Sequence, residues 1–76
     1  MLKIKDNVNL KELKKYGFEA NFFHDDWAMV KEYKKGKYYR EDIYVWNDRT
    51  IQVNAITLND TLYDLIKADL VEKIDD

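Results

Sequence analysis

The sequence predicts a single α+β domain over residues 1–76, in which a three-stranded antiparallel β-meander is packed with two helices. Three observations predict it. Apolar and polar residues alternate from residue 27 to residue 55, helix-capping patterns flank that stretch, and the chain contains no proline. Because proline cannot donate to a strand ladder, its absence leaves each predicted strand uncontradicted. Short strands at the two ends are expected to extend the meander.

A hairpin with its turn at residues 47–49 forms the centre of the predicted sheet. Side chains on a strand alternate between two faces, so the register decides which residues lie together. A two-residue loop would pair Val45 with a threonine, whereas a three-residue loop that ends in a bulge pairs it with Ile51. We therefore predict the three-residue loop. The alternate residues, including Tyr44 and Trp46, form the opposite side, called here the aromatic face. The other side, called here the aliphatic face, is predicted to carry Ile43, Val45, Ile51, Val53 and Ala55.

A further strand is predicted over residues 27–35, joined to the hairpin by a two-residue turn that includes Gly36. Glycine suits such a turn because it tolerates positive φ. The turn puts Lys34 opposite Lys37. This register assigns two more residues to the aliphatic face, Ala28 and Val30. It also gives the aromatic face its candidate binding residues, which are Trp27, Lys31, Tyr33, Tyr38, Arg40, Tyr44 and Trp46.

Capping residues predict the first helix over residues 10–16. Asn9 suits the N-cap, Glu12 follows three residues later as in a capping box, and Gly17 suits the position after the helix. The isolated helix would be too short to be stable, so its apolar side must pack on the sheet. We expect the inward side chains to be Leu10, Leu13 and either Tyr16 or Phe18.

The second helix is predicted to begin after Leu58, with Asn59 as its cap and Asp60 at its positive N-terminal end. Its apolar residues recur at helical spacing on one face. They are Leu62, Leu65 and Ile66. We place the end of this helix near Asp69, so that residues 70–74 form a short strand paired with residues 2–4. The alternative is a helix that continues through Leu70, Val71 and Ile74.

The segment over residues 18–26 has a weaker pattern. Phe22 and Phe23 are expected to be buried, followed by an exposed polar turn at residues 24–26. Imidazole and carboxylate groups are ligands for divalent ions, but adjacent residues rarely converge on one ion and no second cluster accompanies them. We therefore predict no metal and no cofactor. Because no nucleophile and base stand at a recognisable spacing, we also predict no enzymatic activity.

Composition indicates a cytoplasmic protein without a membrane partner. The chain has no cysteine, which fits a reducing compartment, and no apolar run approaches the roughly 20 residues of a membrane span. Met1 is not followed by a signal-peptide pattern. The net charge of −2 is too close to neutral to indicate a nucleic-acid or membrane partner by itself.

The two ends of the chain resemble small uncharacterised proteins encoded by phages and prophages of low-GC Gram-positive bacteria. The resemblance lies in residues 3–11 with 17–18 and in residues 61–67 with 70–73, about a third of the chain, and in the abundance of Lys, Asn, Ile, Tyr and Asp. It involves capping and core residues, so it assigns no functional residue. It implies a protein of the bacterial host cytoplasm that binds a host or phage protein or nucleic acid, in some cases to inhibit a host defence nuclease.

Two functional hypotheses rest on the predicted aromatic face. Trp, Tyr and Arg dominate the energetics of protein-binding patches, which makes a protein-binding, non-enzymatic module the main prediction. The alternative is a module that binds single-stranded nucleic acid, with bases stacked on the rings and phosphates on Lys and Arg. A structural explanation is that one helix covers each face, so that the rings belong to the core.

The acidic C-terminal end suggests a third hypothesis, in which the chain imitates nucleic acid towards a basic groove of a host enzyme. The helix start, a solvated helix face and a frayed terminus also explain these acidic residues locally. They are Asp60, Asp64, Asp69, Glu72, Asp75 and Asp76.

Overall fold

The computed structural model describes residues 1–32, 42–54 and 60–74 with their side chains, and the backbone alone at residues 33–35 and 40–41. Over these ranges the chain forms six strands, one 3₁₀ helix and one α-helix. In chain order they are β1 (Leu2–Ile4), the 3₁₀ helix (Leu10–Tyr16), β2 (Glu19–Phe23), β3 (Asp26–Lys35), β4 (Arg40–Trp46), β5 (Ile51–Asn54), α1 (Asp60–Lys67) and β6 (Val71–Lys73).

The predicted α+β class is confirmed, but the main sheet has four strands rather than three. Its order is β2-β3-β4-β5, and each neighbouring pair is antiparallel. The additional strand, β2, lies in the segment whose sequence pattern is weakest. The terminal strands do not extend this sheet as predicted: β1 and β6 form a second, two-stranded sheet, and the two sheets meet at a bridge between Lys3 and Thr50.

The central hairpin has the register that the three-residue loop predicts. Val45 pairs with Ile51, and Ile43 pairs with Val53. The last loop residue, Arg49, has φ of 77°, which is the left-handed conformation expected before a bulge of this type. Apolar pairing across the two strands therefore selected the correct loop length.

The predicted faces of β3 are wrong because its register differs by an odd number of residues. Met29 pairs with Val45 and Val30 pairs with Tyr44, so Met29 belongs to the aliphatic face and Val30 to the aromatic face. The register shifts between Glu32 and Lys34, where β3 contains one extra residue. Without this bulge the two strands would keep the predicted parity. A single inserted residue therefore exchanges the two faces along the rest of β3.

The connection between β3 and β4 also differs from the predicted two-residue turn. Lys34 pairs with Glu41 instead of Lys37, and Lys35 pairs with Arg40. Gly36 and Tyr38 lie outside the described residues, as does Ala55.

The first helix has its predicted bounds but 3₁₀ rather than α geometry. The Asn9 side chain accepts a hydrogen bond from the backbone N–H of Lys11 at 2.9 Å, which is the predicted N-cap. Gly17 ends the helix with φ of 92° and donates to the carbonyl groups of Leu13 and Lys14. Short 3₁₀ segments are typical of connectors, and here the helix links β1 to β2.

Replacing Gly17 with alanine is expected to lower the free energy of unfolding by about 1–2 kcal/mol, since a Cβ disfavours the left-handed conformation. A Cβ there would also lie 3.2 Å from Cε of Lys31, closer than an ordinary contact. Chemical denaturation followed by circular dichroism measures the effect. Alanine at Lys15, which is exposed in the same helix, is the control and should be nearly neutral. Equal stability of the wild type and the Gly17 variant would contradict this role of Gly17.

The C-terminal region confirms the predicted break near Asp69. Helix α1 ends at Lys67, Asp69 has φ of 63°, and β6 pairs with β1 from Leu2 opposite Lys73 to Ile4 opposite Val71. Residues 70–74 therefore contain a strand and not a helical extension. Asn59, the predicted cap of α1, lies outside the described residues.

One predicted inward residue of α1 faces outward. Leu65 is fully buried and Leu62 is half-buried, but Ile66 is 51% exposed. Thr61 takes the remaining buried position, where its hydroxyl oxygen accepts a hydrogen bond from the Lys31 ammonium at 2.8 Å.

The hydrophobic core lies between the aliphatic face and both helices. The 3₁₀ helix contributes Leu13 to this core, the segment after it contributes Phe18, and α1 contributes Leu65. The sheet side of the core includes Met29, Ile43, Val45 and Ile51, and Ile4 and Val8 close its end. Among the described residues, both helices therefore pack on one face of the sheet, which contradicts the alternative with one helix on each face.

The N-terminal strand is held at its end by charged side chains. The Lys3 ammonium lies 3.0 Å from an Asp6 carboxylate oxygen and 3.3 Å from one of Glu72. Hydrogen bonds to Asp6 and then Glu72 raise the pKa of Lys3 above its ordinary value.

No helix within the described ranges is both long enough and apolar enough to cross a membrane.

Candidate functional site

Three aromatic rings meet on the aromatic face of the sheet and are called here the aromatic cluster: Phe23, Tyr44 and Trp46. The Phe23 and Trp46 ring centroids are 5.3 Å apart, and those of Tyr44 and Trp46 are 5.5 Å apart in an edge-on arrangement. Phe23 and Tyr44 are stacked at 6.0 Å. These separations lie within the range at which aromatic pairs attract one another beyond simple burial.

The cluster converges because β3, which separates its strands, carries small side chains on this face. Phe23 lies on β2, whereas Tyr44 and Trp46 lie on β4. Between them, Ala28 is opposite Trp46 and Val30 is opposite Tyr44. Both β3 residues are buried, at 0% and 6% exposure. The rings therefore cover β3 and do the packing that a helix would otherwise provide on this side.

Hydrogen bonds fix the polar edges of two rings. The Tyr44 hydroxyl donates to Asp42 at 3.2 Å, and the Trp46 indole N–H donates to the side-chain oxygen of Gln52 at 3.1 Å. Gln52 in turn donates to the Asn54 side chain at 3.3 Å. Since Tyr and Trp combine a large apolar body with one polar group, this arrangement leaves their apolar surface for contact while satisfying the polar group.

The charged residues of this face whose side chains the structure describes are acidic. Glu19 and Asp26 lie at the β2 side, and Glu32 pairs with Asp42 at the other end. Asp42 is 3% exposed. Where side chains are described, the face carries no lysine or arginine. The described surroundings of the cluster are therefore polar and negative.

Of the predicted binding residues whose side chains are described, Tyr44 and Trp46 lie together on the aromatic face. The predicted face of Trp27 and Lys31 is wrong. Both residues lie on the aliphatic face because of the bulge in β3. Side chains of the other three predicted residues lie outside the described set, which leaves their predicted role as it stands. They are Tyr33, Tyr38 and Arg40.

Phe23 is the member of the cluster that sequence reasoning missed. Both Phe22 and Phe23 were expected to be buried, but they are 83% and 41% exposed. The available signal is alternation: in a strand, adjacent phenylalanines must point to opposite faces. Treating residues 19–23 as a strand would have placed one ring on each side.

Trp27 and Lys31 have structural contacts on their own face. Trp27 is half-buried against the core and lines an open cleft of about 600 Å³ beside Arg49 and the loop after β1. Lys31 extends past Gly17 and donates to Thr61 at 2.8 Å. Lys31 therefore joins the end of the 3₁₀ helix to the start of α1.

The turn next to Trp46 is ordered by its own side chains. One Asp48 carboxylate oxygen accepts from the Thr50 hydroxyl at 2.6 Å and from the Thr50 N–H at 3.0 Å. These two bonds lower the pKa of Asp48 below its ordinary value, and the bond from the Thr50 hydroxyl has the larger effect. Because the folded-state pKa is depressed, this contribution to stability is present above the unfolded pKa and is lost as the pH falls through the folded pKa.

Within the described ranges, no group of three or more His, Cys, Asp or Glu side chains is placed to hold a metal ion. No protein-family model, curated protein or solved structure gives a significant match to this chain. The aromatic cluster and its charged surroundings therefore provide the basis for a functional proposal.

Proposed function

We propose that this chain is a non-enzymatic protein-binding module and that its aromatic cluster contacts the partner. One observation carries the proposal: Phe23, Tyr44 and Trp46 converge on a sheet face against which no described helix packs. Tyr and Trp are enriched among residues that dominate binding energy, and they act from the centre of a patch with a polar rim. Asn21, Gln52 and Asn54 supply such a rim here.

The cluster is ordered before a partner arrives, which supports the proposal. Tyr44 and Trp46 are half-buried, contact each other, and have hydrogen-bonded polar groups. Phe23 retains 41% of its surface exposed beside them. A partner that covers these rings removes apolar surface from water without freezing many rotamers, which keeps the entropic cost of binding low.

The charges favour a protein partner with lysine or arginine at its surface. Cations are attracted to the faces of Trp and Tyr rings, and acidic neighbours strengthen that preference. The same acidic neighbours repel phosphate, and Lys31, predicted to contact phosphate, lies on the opposite face. Single-stranded nucleic acid is therefore the less favoured ligand. The phage setting and the inhibition of a host defence nuclease stay predictions.

Alanine at Trp46 or Tyr44 is expected to abolish partner capture while the domain stays folded. Immobilised wild-type protein and the two variants would be exposed to bacterial lysate and to a display library of random peptides. We expect peptides enriched in Lys or Arg, with at least about a tenfold loss of binding in each variant, because removing an aromatic contact residue commonly costs more than 1 kcal/mol.

Tyr63→Ala is the matched control, since Tyr63 is 59% exposed on α1, away from the cluster. Its binding should equal that of the wild type. Circular dichroism establishes that each variant is folded. Ligands that bind the Trp46 and Tyr44 variants unchanged would refute the proposed contact surface.

The nucleic-acid alternative has its own test. Labelled single-stranded DNA and RNA would be titrated with wild-type protein at two salt concentrations. We expect no complex at micromolar protein. A tight complex that weakens steeply with salt, and that Trp46→Ala disrupts, would replace protein binding with nucleic-acid binding as the function of this face.

A further inference from the structure

Strand β2 is an edge strand that lacks the usual protection against pairing. It forms one edge of the four-stranded sheet, and all five of its residues are exposed. Edge strands are commonly protected by lysine, proline or a bulge. Strand β2 has none of these in its sequence, Glu-Ala-Asn-Phe-Phe, and its ladder with β3 is regular. Its outer backbone groups therefore form a template for another strand.

The opposite edge, β5, also has no lysine, proline or bulge, but another strand lies close to its start. Strand β5 carries the polar side chains of Gln52 and Asn54, and β1 approaches its start through the Lys3–Thr50 bridge. The Ile4 N–H also donates to the Arg49 carbonyl at 2.9 Å there. Of the two edges, β2 is therefore the more accessible to an additional strand.

We propose that β2 pairs with β2 of a second copy of this chain, antiparallel and centred on Asn21, to form a two-fold symmetric dimer. This register places Glu19 opposite Phe23 of the other copy, and Ala20 opposite Phe22. Residues of equal parity meet, so the outward-pointing backbone groups match and each face continues from one sheet into the other. The result is a continuous eight-stranded sheet.

The aliphatic side of this edge provides a receptor for a phenylalanine. Phe22 is 83% exposed, whereas Ala20 beside it leaves space. A cleft of about 210 Å³ lies at this edge, and its lining is almost wholly apolar apart from two lysine stems. The lining residues are Leu10, Lys11, Lys14, Ala20, Phe22, Trp27 and Met29. In the proposed register, Phe22 of each copy stands opposite Ala20 of the other and enters this cleft.

Charges at the two ends of β2 are complementary across the two-fold axis. Lys14 lines the clefts at the start of β2 and forms no ion pair within the described part of the chain. Asp25, in the turn after β2, has a side chain that is 93% exposed, and among the described residues its one ion-pair neighbour is the His24 imidazole at 4.0 Å. In this register Asp25 of one copy stands opposite Gly17 of the other, beside Lys14, which lines the same cleft as Gly17. The symmetry repeats this approach of Asp25 to Lys14 a second time. This complementarity selects a second copy as the occupant of the edge.

The proposed dimer does not depend on the proposed partner contact. It would, however, change the number of partner-binding surfaces in one particle. The two-fold axis is perpendicular to the sheet, so both aromatic clusters lie on the same side. A dimer would present two equivalent binding surfaces and could gain avidity towards a repeated or dimeric partner. Because Phe22 and Trp46 lie on opposite faces, variants at these positions separate self-association from partner binding.

Sedimentation velocity over a wide concentration range tests the dimer directly. We expect a monomer–dimer equilibrium for the wild type, and Phe22→Lys should raise the dimer dissociation constant at least about tenfold because a charge would enter the apolar cleft. Ile66→Lys is the matched control, since Ile66 is an exposed apolar residue on α1, and should dimerise normally. A wild type that stays monomeric at near-millimolar concentration, or a Phe22→Lys variant that dimerises normally, would overturn the proposal.

A cysteine substitution tests the register. The chain has no cysteine, so Asn21→Cys introduces a single thiol on the proposed axis, directly opposite its counterpart. Cβ atoms of directly opposite residues are about 4.5–5.5 Å apart, within reach of a disulfide after small adjustment. Mild oxidation should give a covalent dimer rapidly. Asn54→Cys, on the other edge strand, is the control and should cross-link slowly; equal rates would reject the Asn21-centred register.

Reversing the charges tests the ion pairs. Lys14→Glu and Asp25→Lys are each expected to weaken the dimer roughly fivefold, because each places two like-charge pairs across the interface. The double variant restores opposite charges and should recover the wild-type dissociation constant. Additive weakening in the double variant would contradict the proposed juxtaposition. Assemblies larger than a dimer would contradict the closed two-fold arrangement.

Discussion

Replacing Phe18 with alanine is expected to lower the free energy of unfolding by about 3–5 kcal/mol, the usual cost of deleting a buried aromatic ring. Phe18 is 1% exposed and is the largest fully buried side chain among the described residues. It follows the 3₁₀ helix, where its N–H donates to the Leu13 carbonyl at 3.3 Å, and it packs with Leu13 in the core. A domain of 76 residues has roughly 4–11 kcal/mol of stability in total. Much of the folded population should therefore be lost.

Phe22→Ala is the matched control because it removes the same ring from a position that is 83% exposed. At protein concentrations below the dissociation constant of the proposed dimer, the free energy of unfolding of Phe22→Ala should stay within about 0.5 kcal/mol of the wild-type value. Urea denaturation followed by circular dichroism measures both variants. Equal losses in the two variants would show that exposure does not distinguish these rings, and would contradict the position of Phe18 in the core.

Local signals account for the parts of the fold that the sequence predicts correctly. Pairing of Val45 with Ile51 favours one hairpin register, and Asn9 with Gly17 sets the bounds of the 3₁₀ helix. Each of these features depends on residues within one turn or one hairpin. The strand after Asp69 is also predicted, from the alternation of residues 70–74, although Leu70 and Ile74 would equally continue the apolar spacing of α1.

The faces of β3 are not predictable from alternation. Ala28, Met29 and Val30 are consecutive and all buried, so the strand is apolar in both parities. Its register depends on the connection to β4 and on the bulge after Glu32. Neither has a strong sequence signal, and an odd shift exchanges the faces. This is why Trp27 and Lys31 were assigned to the wrong side of the candidate site.

The exposure of β2 follows from the size of the chain. Both helices pack on the aliphatic face, and the β2 edge extends beyond the core that they cover. A domain of this size buries only about 60% of the surface of its unfolded chain, so some large apolar residues stay exposed. Hydrophobicity alone predicts burial for Phe22 and Phe23. Their position at a sheet edge, which depends on the whole topology, determines that they are exposed.

Arg49→Ala is expected to lower the free energy of unfolding by about 2–4 kcal/mol, although a loop arginine seldom has so large an effect. One guanidinium nitrogen of Arg49 donates to the carbonyl oxygens of Lys5 at 2.8 Å and Val8 at 2.6 Å. Hydrogen bonds from a charged donor are stronger than neutral ones, and both carbonyls would lose a partner. The variant should therefore loosen the segment between β1 and the 3₁₀ helix, which hydrogen exchange would detect.

Arg49→Gly separates the side-chain contacts from the backbone conformation. At φ of 77° the glycine variant loses the same two hydrogen bonds but avoids the left-handed cost of about 1 kcal/mol that alanine retains. We expect stability to decrease from wild type to Arg49→Gly to Arg49→Ala. If the glycine variant matched the wild type, the guanidinium bonds would contribute little. The expected order of the three stabilities depends on two roles of Arg49. Its backbone closes the hairpin turn, and its side chain holds the N-terminal segment against the sheet.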